Sequence, residues 1–148
     1  MAHPFPRRSV LRTGLALCAS LALPQARACE YFADGLRITH PWTRATAPGA
    51  TTAVLCMGFD EVLVDDRLIA VETPVAEGAE MGGLSAGREV NFAIPAGQSS
   101  ALGEHGSFVR LVGLKHPLEV GRTYPLNLGF ERAGLVIATL NVDFARFR

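Results

Sequence analysis

Short apolar or alternating runs recur about every ten to fifteen residues along most of the chain. They are Leu36–Thr39, Thr52–Phe59, Arg67–Glu72, Glu89–Ile94, Phe108–Val112, Tyr124–Phe130 and Leu135–Phe144. Tyr124, Leu126, Leu128 and Phe130 share one face at period two, and so do Val136, Ala138, Leu140, Val142 and Phe144. Neither run has the spacing of a helix. Turn signals separate the runs: Ala47-Pro48-Gly49, Asp65-Asp66, Gly82-Gly83, Pro95-Ala96-Gly97, Gly103 and Ala133-Gly134. The pattern predicts an all-β chain, a single antiparallel β-sandwich over roughly residues 36–144. Its last two strands should form a hairpin through Glu131–Gly134. There is no internal repeat and no low-complexity linker.

The first 28 residues follow a different pattern. Arg7 and Arg8 open a basic region, and the apolar run Gly14–Leu23 follows, too short to span a bilayer. Ala26-Arg27-Ala28 is a small-x-small cleavage signature. Residues 1–28 therefore read as an export signal peptide cleaved near Ala28, with residues 29–148 as the domain. Arg7-Arg8-Ser9-Val10-Leu11-Arg12 also resembles a twin-arginine signal, with the general secretory route as the alternative. Either route predicts a periplasmic protein. Cys29 admits lipoprotein processing, but Ala26 stands where lipoproteins favour Leu. No other stretch reads as a membrane span.

Length, 148 residues, fits one domain, and 49 % hydrophobic against 19 % charged residues excludes a disordered chain. The 14 basic and 14 acidic residues cancel. Four of the basic ones (Arg7, Arg8, Arg12, Arg27) precede Cys29, so the domain keeps ten against fourteen, a net of −4. That balance argues against a nucleic-acid partner.

Cys18 falls within the leader, which leaves Cys29 and Cys56. An even pair in an oxidising compartment predicts a disulfide, which would stabilise by about 3 kcal/mol in the chain-entropy model. Thiolate metal ligation is the alternative, though the two lack the close spacing of zinc or iron–sulfur sites. Gly83-Leu84-Ser85-Ala86-Gly87 matches a nucleophile elbow, but a short, β-rich chain supplies no strand–turn–helix for it, so it reads as a loop. Asp65-Asp66 reads as a solvated turn. No catalytic constellation emerges, and the expectation is a non-enzyme.

Pro41-Trp42-Thr43-Arg44-Ala45 with Pro48-Gly49-Ala50 resembles the opening of the periplasmic copper chaperone family PCu(A)C. The resemblance continues through Asp66–Ala70, Pro74–Glu77, Ile94–Gly97, Gly113–Leu118, Gly121, Tyr124–Leu126 and Phe130–Gly134, in order along nearly the whole domain. It implies a cupredoxin-like sandwich, copper(I) carriage, and delivery to the CuA centre of cytochrome c oxidase, with that oxidase's assembly proteins as partners.

The ligand positions depart from the family. The family holds copper(I) through a His followed closely by Met, a further Met, and a later His-x-Met, soft donors suited to that ion. Carried over residue by residue, these fall on Gly82, Leu84, Phe108 and Arg110, with the loop for the further Met shortened between Leu84 and Arg88. Arg110 adds a fixed positive charge, with Glu104 or another acid as its expected partner. Met81 and His105, with His116 as a third donor, are the candidates for a rearranged site; His40 and Met57 read as structural. The resulting expectation is a periplasmic, copper-handling PCu(A)C-like protein with a lost or altered copper site. The alternative is a metal-free binding module contacting a protein or a small ligand.

Overall fold

The computed structural model describes residues 29–144, so the expected export signal lies outside the described residues. Ten strands follow one another: β1 (Glu30–Ala33), β2 (Leu36–Arg44), β3 (Thr52–Asp60), β4 (Asp66–Glu72), β5 (Ala76–Gly83), β6 (Phe92–Ile94), β7 (Ser100–Leu102), β8 (Ser107–Leu114), β9 (Thr123–Phe130) and β10 (Gly134–Phe144). The described residues are all β, as the period-two runs require. The strands lie in the order β5-β8-β3-β2-β10-β9-β4-β6, with β1 added to β2 and β7 to β3. The sheet curls on itself into a sandwich. The first half of β3 pairs with β8, the second half with β7, and β2 runs along its other edge.

One pairing departs from the antiparallel expectation. β10 runs parallel to β2, with Asn141 opposite Trp42 and Val142 opposite Thr43. A parallel pair needs a long crossover, and here the intervening strands β3–β9 supply it. The sheet is therefore mixed.

The inward positions of the period-two runs make the core. Leu126, Leu128 and Leu140 are fully buried with Ile38, Leu55, Leu68, Val109 and Leu111. Each such side chain contributes about 1.5–3 kcal/mol of apolar burial. The β9–β10 hairpin forms as expected, in register from Gly134–Phe130 to Asn141–Thr123. Its turn is pinned from a third strand. Asp66 is buried, and its carboxylate accepts the backbone N–H groups of Arg67, Arg132 and Ala133 at 2.8–3.0 Å. The solvated-turn reading of Asp66 is thus corrected, while exposed Asp65 accepts the N–H of Ala96.

The expected disulfide is not formed: Cys29 and Cys56 are both free thiols. The register explains why. Cys29 stands beside His40 on one edge of β2, where its carbonyl accepts the His40 N–H, and Cys56 stands opposite Trp42 on the other edge. Two strand spacings separate them by about 10 Å, beyond the roughly 7 Å that a disulfide can bridge. The Cys29 thiol instead donates to Asn141 Oδ1 at 3.7 Å.

Candidate functional site

β5 and β8 pair antiparallel with Gly82 opposite Phe108 and Glu80 opposite Arg110. The carried-over ligand positions Gly82, Phe108 and Arg110 thus meet on one face of this ribbon, and Leu84 follows just past the end of β5. Alternation sends Met81 and Val109 to the other face, where both are buried in the core. Three of the four carried-over positions therefore share a face, with Leu84 beyond its end.

Phe108 lays its ring over the bare backbone of Gly82. A Cβ on Gly82 would stand 2.2 Å from Phe108 Cε2 and 2.7 Å from Cζ, so a side chain at position 82 requires the ring to swing aside. Arg110 closes the next row: its guanidinium lies 5.6 Å from the Phe108 ring centroid, and Nη1 donates to Glu80 Oε1 at 3.0 Å. The acid that pairs with Arg110 is therefore Glu80. Glu104 instead binds Arg44, accepting from Nε at 2.5 Å and Nη2 at 3.1 Å. Leu84 is 86 % exposed. A ring, a guanidinium with no lone pair, an aliphatic chain and a glycine offer copper(I) no donor.

The rearranged donors are not brought together. Met81 is in the core, His105 is exposed in the β7–β8 turn, and His116 stands past the opposite end of β8. There the His116 ring donates to the Pro117 carbonyl at 2.9 Å and packs 5.6 Å from Tyr124. His40 pairs with Asp143, and Met57 is core. Among the described residues no three His, Cys, Asp or Glu side chains gather to hold a metal. Ser85 of the G-x-S-x-G stretch lies in an exposed turn, hydrogen-bonded to Ser107 Oγ at 2.5 Å.

A second cation–aromatic cluster flanks the ribbon. Arg44 lies 5.8 Å from the Trp42 ring and 5.5 Å from the Phe144 ring, and those rings meet edge to face at 5.3 Å. The Arg44 guanidinium holds the Glu104 carboxyl below its usual range. Burial, aided by the Glu104 charge, pushes the neighbouring Cys56 thiol up to about 11. Cys56 therefore stays protonated at neutral pH. Sequence reasoning missed both Glu80 and this cluster. The pairing Glu80–Arg110 depends on a β5–β8 register, and Glu77-Gly78-Ala79-Glu80 carries no apolar alternation that would announce β5.

The model of the LpqE-like lipoprotein family matches residues 36–142. A Leifsonia xyli subsp. xyli protein named "Putative lipoprotein Lxx21020" is 33% identical over 129 residues, spanning 80% of this chain and 75% of its own length. Among solved structures, the apo PCuAC domain from PmoF1 is similar with a TM-score of 0.71 at 30% identity, covering 78% of this chain and 98% of that domain. The copper-bound PCuAC domain from PmoF2 gives 0.70 at 28% identity, covering 78% and 97%.

Proposed function

Because this chain belongs to the LpqE-like family, a family of PCu(A)C domains, we propose that it is an exported, non-enzymatic member whose copper position is closed by its own side chains. One observation carries this reading: the Phe108 ring covers Gly82, while Arg110, paired with Glu80, puts a guanidinium without a lone pair at a carried-over ligand position. The Glu80 carboxylate balances that charge, so the missing donors rather than Coulomb repulsion close the position. The copper-bound PmoF2 domain supports a copper-handling setting for the scaffold. In that setting the domain works as a metal-free binding module, contacting proteins of the copper-delivery route, with assembly factors of the CuA centre of cytochrome c oxidase as the first to examine. The lipoprotein naming of the family and of the Leifsonia relative supports residence in the cell envelope, in keeping with the leader over residues 1–28.

Anaerobic copper(I) competition against a chromophoric chelator tests the reading on the exported protein. The chelator should keep its copper when an equal concentration of protein is added. Stoichiometric withdrawal of copper by the protein, retained after Cys29→Ser, would overturn the closed site.

A further inference from the structure

On one edge, β4 pairs with β9 as far as Glu72, but on the other β6 accompanies it only from Asp66 to Leu68. Beyond Leu68 no strand among the described residues pairs with that outer edge. A cleft of about 440 Å³ opens there, within the size range of ligand sites. Ile69, Ala70, Val71 and Glu72 all line it. Successive residues point to opposite faces of a strand, so a cleft lined by four in a row follows the backbone edge. Its far wall is Ala79 of β5. Met81 exchanges backbone N–H and C=O bonds with Gly87 on the edge of β5 away from β8. Alternation turns the same groups of Ala79 to that edge, toward the cleft. Buried Val71 and Val90 give the cleft an apolar base.

The two ends of the cleft carry opposite charges. Residues 87–91 close one end, running from Met81 of β5, where Gly87 pairs, to Arg67 of β4, where Asn91 Oδ1 accepts from Nη1 at 2.5 Å. Arg88, on this segment, is the one arginine among the described residues with no hydrogen-bond or ion-pair partner. Two guanidiniums face one carboxylate, exposed Glu89, at this end. Glu72 stands at the other end, five strand residues or about 17 Å from Arg67, and its carboxylate has no partner among the described residues.

We propose that this cleft holds a free peptide of four or five residues, extended along the open edge of β4 as an added strand. An unpaired strand edge is complemented by another backbone. Continuing the antiparallel direction of β6 puts the C-terminal carboxylate of the peptide at Arg67 and Arg88 and its N-terminal ammonium at Glu72. Four or five extended residues measure about 14–17 Å, the separation of those charges. A segment inside a longer chain brings neither terminal charge. The cleft is separate from the closed copper position, so either reading can fail without the other.

Titration of the exported, ¹⁵N-labelled protein with a tetrapeptide of alternating alanine and valine, followed by amide chemical shifts through the millimolar range, tests the proposal. The amides of Ile69–Glu72 and Ala79 should shift together and give one dissociation constant. Amidating the peptide's C-terminus or acetylating its N-terminus should each weaken binding about fivefold, the worth of one exposed ion pair. Arg88→Ala should weaken the free peptide by the same factor and leave the amidated one unchanged. Glu72→Gln should do so for the free peptide and leave the acetylated one unchanged. Both substitutions are at exposed positions, so the fold should survive them, as circular dichroism checks. Absence of shifts along β4, shifts confined to another part of the domain, or equal binding of free and doubly blocked peptides would each overturn the proposal.

Discussion

The β4–β9–β10 region and the β5–β8 ribbon are built from the same kind of pairing and stabilised in opposite ways. In the first, alternating Leu and Val side chains fill the interior and a buried carboxylate fastens the turn. In the second, the inner face is ordinary core, while the outer face is held by a ring over a glycine and a half-exposed ion pair. Burial and backbone hydrogen bonds set the stability of the first region. The outer face of the second adds little to stability, and its chemistry decides what the domain can bind.

Leu128→Ala, at a fully buried position, should give the largest effect, a loss of about 3 kcal/mol measured by chemical denaturation. A loss below 1 kcal/mol would mean that the hairpin does not carry the core. Asp66→Ala leaves three backbone N–H groups without their acceptor, and about 2 kcal/mol should go with it. An unchanged denaturation midpoint would show that water replaces the carboxylate freely.

The third effect is a pH dependence. Cys56 has its folded value raised from 9.0 to about 11 by burial. The unfolded chain therefore loses this proton first, and the contribution of Cys56 is complete below pH 9 and lost as pH rises through 11. Two pH units of this kind correspond to about 2–3 kcal/mol. Denaturation series at pH 8 and pH 11 should show the fall in the unmodified protein and a smaller one in Cys56→Ala. Equal slopes would place the titration elsewhere.

The smallest effect belongs to the ribbon. Arg110→Ala removes a partly exposed ion pair with Glu80, worth under about 1 kcal/mol. A loss of several kcal/mol would make the pair a structural element and end the contrast between the two regions.

The contrast also explains what could be read in the sequence. Strands β9 and β10 and their hairpin were legible because one of their faces is buried, and burial writes period two into the residues. β5 was not, because its acidic, glycine-rich stretch carries no such alternation, and Glu89–Asn91 precede rather than join the short β6. The parallel contact of β10 with β2 joins the two ends of the described chain, which no local pattern can signal. Counting cysteines predicted a bond that the register forbids, since β2 separates the two thiols. Adjacent Asp65 and Asp66 look alike in sequence, yet only Asp66 faces the hairpin turn. At the site, the carried-over positions Gly82, Phe108 and Arg110 share one face of the ribbon, and the structure adds Glu80 as the partner of Arg110 and the steric dependence of Gly82 on where the Phe108 ring stands.

That dependence supplies the most direct test. Gly82→His alone requires the Phe108 ring to swing aside, since its Cβ would meet that ring at 2.2 Å, and leaves a single new donor beside Arg110, so it should hold no copper(I) tightly. Gly82→His, Leu84→Met, Phe108→His and Arg110→Met together remove the ring and the charge and install soft donors. Copper(I) competition on this fourfold variant beside the unmodified protein is the decisive measurement. The account predicts one equivalent of tightly held copper(I) in the variant and none in the unmodified protein. Tight binding by the unmodified protein, or a folded variant that takes up no copper, would contradict it.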